Sequence, residues 1–477
     1  MTIPLAYTTV TEQAALVASG QVSAVALTEH ALGAIARLNP DLKAFTQVFV
    51  DQALAEAAAL DWALAGGTGP TGPLYGVPIA VKDEIDVAGA RTTFGTNAVT
   101  HAAAADAEVI RKLRAAGAVI VGKTAMPEFG QWPFTESTTY GYTRNPWNRL
   151  FSTAGSSGGT AAAVASGMVA AGLGGDGGGS IRLPSSWCGL FGVKSQRGRI
   201  SAAPNAALWR GLGVCGPLTR TVADSALLFD VLTGTVPGVD RYQAEPWGVT
   251  LTDAIGQDPG KLRIRVLEDP PVAGPSPDQY TLAALRRVAD LLAGEGHSVE
   301  TGHLDGYKAG LTMMAQMAGG IQDELAHLDD RRRLEAATRH GLALYRLLAP
   351  LSNSQEAKAA KLADRVLRVF DEVDVLLSPT TPHAALPVGQ LDGLGFMRTA
   401  KVSLPISTYT AIWNVLGNPA AAVPAGFTPN GLPLSVQVIV APGAEPLAFQ
   451  VAAQIERLAP WADRFPPDGL PAPAAAA

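Results

Sequence analysis

The 477 residues suffice for one large α/β domain or two to three average ones; with 47% hydrophobic and 16% charged residues, a sizeable core is expected. The net charge of −6, with no long run of Lys or Arg, argues against a nucleic-acid or anionic-lipid footprint. Two cysteines, Cys188 and Cys215, are too few for a disulfide framework or a four-ligand zinc site, and no signal-peptide pattern opens the chain, so a cytoplasmic protein is expected.

Ala31, Leu32, Ile35 and Leu38 recur at helical spacing, and Asn39-Pro40 is expected to stop that helix. An alanine-rich helix follows over about 51–65 and ends at Gly66-Gly67, so 1–70 reads as a helical segment packing on the core. VPIAV (77–81) is short, continuous and β-branched, as a buried strand should be. A helix over 107–116, ended by Gly117, and a strand over 118–122 continue the alternation of an α/β layer fold. The composition of 158–167 is helical, with Ser156 and Ser157 at its N-cap, and 168–173 reads as a small-residue strand running into the loop GGDGGGS. Thr221 and Asp224 suit the cap of a helix over 222–232, which closes a core of 71–232.

Beyond Gly234 the chain is Pro/Gly-rich to 261, then KLRIRVLED reads as a strand and 278–293 as an amphipathic helix. Residues 306–372 are almost wholly helical and are expected to form a peripheral layer walling the substrate entrance. DVLLSPT (374–380) and LSVQVIVAP (434–442) return to buried strands, so 233–465 reads as the rest of the same domain. The low-complexity tail, 466–477, is expected to fray.

Chemistry concentrates at Lys82, directly after VPIAV, and at Ser156 and Ser180 in the glycine-rich stretches AGSSGGT and GGDGGGSIRLP. Two hydroxyls, one lysine and a glycine nest point to acyl transfer by a serine that does not use histidine. A hydroxyl attacks only once a base takes its proton. A lysine can be that base when uncharged, a state that burial favours, and an intervening hydroxyl can pass the proton because it both donates and accepts. Gly177, Gly178 and Gly179 can turn successive N–H groups toward one point, as an oxyanion hole requires.

These residues lie within GVPIAVKDEIDVAG, GKTAMPEF, NPWN, GSSGGTAAAVASG, GGDGGGSIRLPSSWCGLFGVK and GPLTRTVADSALLFDVL, followed by DVLLSPTTP, GNPAAAVPAG and GLPLSVQVI. In this order they resemble the amidase signature family over about 10–460. The resemblance implies one α/β/α domain with a large mixed, mostly parallel sheet, and a hydrolase needing neither metal nor cofactor. It implies Ser180 as nucleophile, Ser156 as a bridging serine on a cis peptide bond, and Lys82 as base. Ser157, Asp176 and Arg182 would brace the site. Trp132 and Phe134 follow a motif near the acyl side of related pockets, and Arg199 and Trp209 lie in a variable loop suited to the entrance. The chain departs from the family at Gly175, Gly177 and Ser195, which predicts a loose approach to the nucleophile and a mobile segment over 196–213.

The expected activity is hydrolysis of aryl or hydrophobic amides, extending to carbamates and esters, by a monomer or homodimer acting on small molecules. Alternatives are a glutaminase subunit of a tRNA-dependent amidotransferase and a Ser-His-Asp esterase using Ser157 of Gly155-x-Ser-x-Gly159. The latter would draw its histidine from His297, His303, His327, His340 or His383. Gly172, Gly174 and Gly177 also fit a dinucleotide fingerprint, but Pro184 and Ser185-Ser186 are expected to interrupt the helix it needs.

Overall fold

A computed structural model describes residues 5–69, 71–304 and 309–472, so the tail beyond 472 and the start of the 306–372 layer lie outside the described residues. Eleven strands form one sheet: β1 (Phe45–Val48), β2 (Pro78–Lys82), β3 (Val119–Thr124), β4 (Ala171–Asp176), β5 (Phe191–Lys194), β6 (Val214–Thr219), β7 (Arg263–Val266), β8 (Ser298–Thr301), β9 (Val375–Pro379), β10 (Ala420–Phe427) and β11 (Pro433–Val440). Their spatial order is β1-β3-β2-β4-β6-β5-β10-β11-β9-β7-β8.

The expected mixed α/β sheet is present, but antiparallel neighbours outnumber parallel ones. Parallel pairing is limited to β2 with β3 and β4, and β7 with β8 and β9. The cause is local: β6 inserts antiparallel between β4 and β5, and β10 and β11 are joined by a tight turn that only an antiparallel pair accepts.

Alternation along β2 assigns its two faces, since successive side chains point to opposite sides of a sheet. Ile79 and Val81 pack with Ile110, Leu173, Phe229 and Phe449 under helices Glu108–Ala115, Val222–Leu232 and Glu445–Leu458. Ala80 faces the other way, toward Ala31, Ile35 and Ala161 of helices Ala24–Leu42 and Gly158–Ala165. Phe449 makes edge contacts with Phe191 and Phe229 at 5.5 and 5.3 Å; truncating such a side chain costs roughly 3–5 kcal/mol.

Four local expectations need correction. Helix Ala24–Leu42 runs through Pro40 and stops at Lys43 in the left-handed region (φ 53°). Pro40 removes one donor near the end of the helix, and Asn39 ties the exit by bonding both backbone groups of Phe45. The strand expected over 168–173 lies at 171–176, so Gly174, Gly175 and Asp176 are ladder residues rather than loop. A Cβ on Gly172 would stand 2.6 Å from Thr160, which is why glycine suits a strand pressed this closely on a helix. Helix Arg182–Cys188 forms despite Pro184, which sits in the first turn where its missing N–H has no intrahelical partner. The tail is docked as far as Leu470, whose backbone bonds Ser166 and the Tyr7 hydroxyl.

Candidate active site

Lys82 ends β2 with its side chain 1% exposed. Its Nζ donates to Ser156 Oγ at 2.8 Å and to the Gly175 carbonyl at 3.3 Å, and Glu84 Oε2 stands 3.1 Å away. Ser156 is buried just before helix Gly158–Ala165, and the Gly155–Ser156 peptide is cis. Ser180 follows β4 across the turn 177–179 and is 8% exposed. Its hydroxyl makes no protein hydrogen bond among the described residues, while its carbonyl accepts from the Ser157 amide at 3.1 Å. Lys82, Ser156 and Ser180 line one small cavity with Gly177, Leu208, Trp209 and Gly213.

A buried charge network fixes the turn carrying Ser180. Asp176 Oδ1 and Oδ2 accept from Arg182 Nη2 and Nε, both at 2.9 Å, and neither side chain is exposed. Asp176 also accepts from the amides of Gly179 and Ile181 and from Asn414 Nδ2. Burial alone would push the Asp176 carboxyl up; the Arg182 charge and hydrogen bonds outweigh it and hold the group well below the ordinary range. Arg182 also reaches Gln437, Asn414 and the Thr410 carbonyl, tying the turn to the second half of the chain.

This bracing changes the expected oxyanion site. The Gly179 N–H is committed to Asp176 Oδ1 at 2.8 Å and is not free to meet an oxyanion. The N–H groups of Gly177 and Gly178 donate to no side chain or loop carbonyl among the described residues. The approach to Ser180 is not loose either. A Cβ on Gly175 would stand 1.8 Å from Glu84 Oε1, and one on Gly177 would stand 2.7 Å from the Trp209 ring. Side chains from elsewhere fill the space that these glycines leave.

Of the residues expected to contact substrate, only Trp209 lines the cavity. Trp132 packs against Phe396 at 5.7 Å under the helical layer, and Phe134 is wholly buried against Trp187 at 5.9 Å. Arg199 is not at an entrance: it is buried, paired with Glu445 at 3.1 Å and stacked 3.7 Å from the Trp247 ring. The segment 196–213 is thereby anchored at its start, and Ser201 holds Asp240 at 2.6 Å. Ser157 is fully buried, and its hydroxyl bonds both backbone groups of Gly175, which leaves no path for substrate to it.

Glu84 was not singled out in the sequence. It carried no strand-period signal, because it lies in the turn that follows β2, closed by the Ile85 amide donating to the Lys82 carbonyl at 3.1 Å. Asn414 and Gln437 carried no local signal, since more than 200 positions separate each from Arg182.

The fold places its polar cluster where β2 and β4 end, in a single mixed α/β sheet with the architecture of amidase signature enzymes. The family model for amidases matches residues 26–448, and the chain belongs to that family of enzymes hydrolysing amide carbon–nitrogen bonds. It is 42% identical to AmiA2 of Mycobacterium tuberculosis, a protein named for an amidase, over 96% of this chain and 94% of the other. The structure of 6-aminohexanoate cyclic dimer hydrolase complexed with substrate superposes with a TM-score of 0.90 at 30% identity, covering 98% of this chain and 100% of that one. A bacterial aryl acylamidase of the amidase signature family gives 0.84 at 28% identity, with 96% and 98% covered. No helix among the described residues is long and apolar enough to cross a membrane.

Proposed function

We propose that the chain hydrolyses aryl or hydrophobic amides through a serine acyl-enzyme, with Ser180 as nucleophile, Ser156 as proton relay and Lys82 as base. The observation that carries this reading is the 2.8 Å contact of Lys82 with Ser156 in the same cavity as the Ser180 hydroxyl, which has no partner among the described residues. Ser180 Oγ attacks the carbonyl carbon while its proton moves to Ser156 and that of Ser156 to Lys82. Glu84, 3.1 Å away, faces the charge that Lys82 then carries. The developing oxyanion is met by the amides of Gly177 and Gly178, a kind of contact worth roughly 3–4 kcal/mol per donor. Collapse breaks the C–N bond, the amine leaves with the proton returned through Ser156, and water releases the acid by the same route.

Carbamates and esters are within reach of the same attack, because each presents a carbonyl carbon with a leaving nitrogen or oxygen. The likeness to an aryl acylamidase and to a 6-aminohexanoate cyclic dimer hydrolase favours amides as the main class.

A panel of p-nitroanilides, matched esters and carbamates, assayed on wild type and on Ser180→Ala, Ser156→Ala and Lys82→Ala, tests the assignment. Each variant should lose on the order of 10⁴-fold in kcat/KM. Near-full activity in Ser180→Ala, with loss in Ser157→Ala, would overturn it. Hydrolysis of glutamine only in the presence of a second protein chain would favour the glutaminase reading.

A further inference from the structure

A second cavity, of about 470 Å³, lies beside the Ser180 cavity and shares Glu84 and Leu208 with it. Its wall is largely apolar, with Phe94 and Val99 among the lining side chains, yet Glu84, Asp86 and Glu324 all face it. Glu84 already has Lys82. Glu324 is different: it ends helix Ala309–Glu324, is 8% exposed and has no hydrogen-bond or ion-pair partner among the described residues. Burial, then the charges of Glu84, Asp323 and Asp86, push its carboxyl up to about 8.

The negative end of the helix adds to the same field. Of the two imidazoles lining it, His101 and His327, the first is already engaged by Asp329 at 3.4 Å. A carboxyl buried in an apolar wall keeps its proton until a cation meets it. The missing counter-charge is not a compact metal ion, because among the described residues no three His, Cys, Asp or Glu side chains are placed to hold one.

We propose that this cavity is a subsite for an organic cation, so that preferred substrates are amides carrying a primary ammonium group on an apolar spacer. The proposal rests on the Ser180 reading for the position of the scissile bond. The spacer would lie on Phe94, Val99 and Leu208, and the ammonium would sit among Glu324, Asp86 and Glu84.

Binding can be read without turnover. Calorimetric titration should show n-hexylammonium binding wild type at least 10-fold more tightly than n-hexanol, its uncharged match. That preference should fall below 2-fold in Glu324→Gln and weaken partly in Asp86→Asn. With a neutral p-nitroanilide as reporter, the inhibition constants of the two ligands should show the same ratio. Equal binding of amine and alcohol by wild type would overturn the subsite, whether or not the variants fold. Ammonium binding that persists while Ser180→Ala leaves hydrolysis intact would instead sink the nucleophile assignment and leave the subsite standing.

Discussion

A Cβ on Gly175 would stand 1.8 Å from Glu84 Oε1, and the same carboxylate lies 3.1 Å from Lys82 Nζ. Glycine at 175 therefore decides where Glu84 rests, and through it what Lys82 faces. The obstructing atoms belong to the end of a flexible side chain, so Gly175→Ala should fold, with Glu84 swung away from Lys82. Its kcat/KM on an anilide should fall on the order of 10-fold, and Glu84→Ala should fall by a similar factor. The double variant should be no worse than either single one, because residues in contact are not additive. A multiplicative loss in the double variant would separate the two positions. That Lys82, Ser156 and Ser180 belong together was legible in the sequence, because each sits in a local motif, and they line one cavity. The filling of the glycine gaps was not, since Glu84 and Trp209 reach them only once the chain is folded.

The segment 196–213 shows the same limit at the scale of an element. Read locally, QRGRISAAPNAALWRGLG is a variable loop with an arginine and a tryptophan suited to an entrance. Folded, the two part company: Trp209 lies against Gly177 and beneath Gly320 of helix Ala309–Glu324, while Arg199 turns inward to Glu445. That partner lies 246 positions away, so no spacing in the loop announces it. Arg199→Ala would strand a fully buried Glu445 carboxylate and should destabilise the fold by about 3–5 kcal/mol. Arg199→Lys should recover only part of this, because a lysine cannot reproduce the planar fork or the stacking on Trp247. Urea midpoints would measure both effects. The kcat/KM of the folded fraction should stay within about 2-fold of wild type, since Arg199 does not reach the Ser180 cavity; a large loss there would return it to the entrance.

For the molecule as a whole, the order of motifs was enough to read an α/β sheet but not the balance of its pairings, which depends on which distant strands insert beside one another. A further whole-molecule property emerges from burial: Glu128 and Glu136 are each pushed up to about 7, chiefly by burial, and Glu324 to about 8. Glu128 joins two parts of the fold, its carboxylate oxygens accepting from the Glu335 amide at 3.2 and 3.1 Å, just before helix Ala336–Leu348. Below the ordinary value of 4.5 its carboxyl is neutral in both folded and unfolded chains. Between 4.5 and about 7 it stays neutral only when folded, so the unfolded chain alone gains by losing the proton. Stability from this group is therefore fully present below 4.5 and lost by about pH 7, a change on the order of 3 kcal/mol. Glu128→Gln keeps an oxygen for the Glu335 amide and removes the titration. Its Tm should exceed that of wild type by about 3 °C at pH 8, with the gap closing toward pH 5. Scanning fluorimetry at the two pH values would measure this, and a gap of equal size at both would show that Glu128 does not carry the pH dependence.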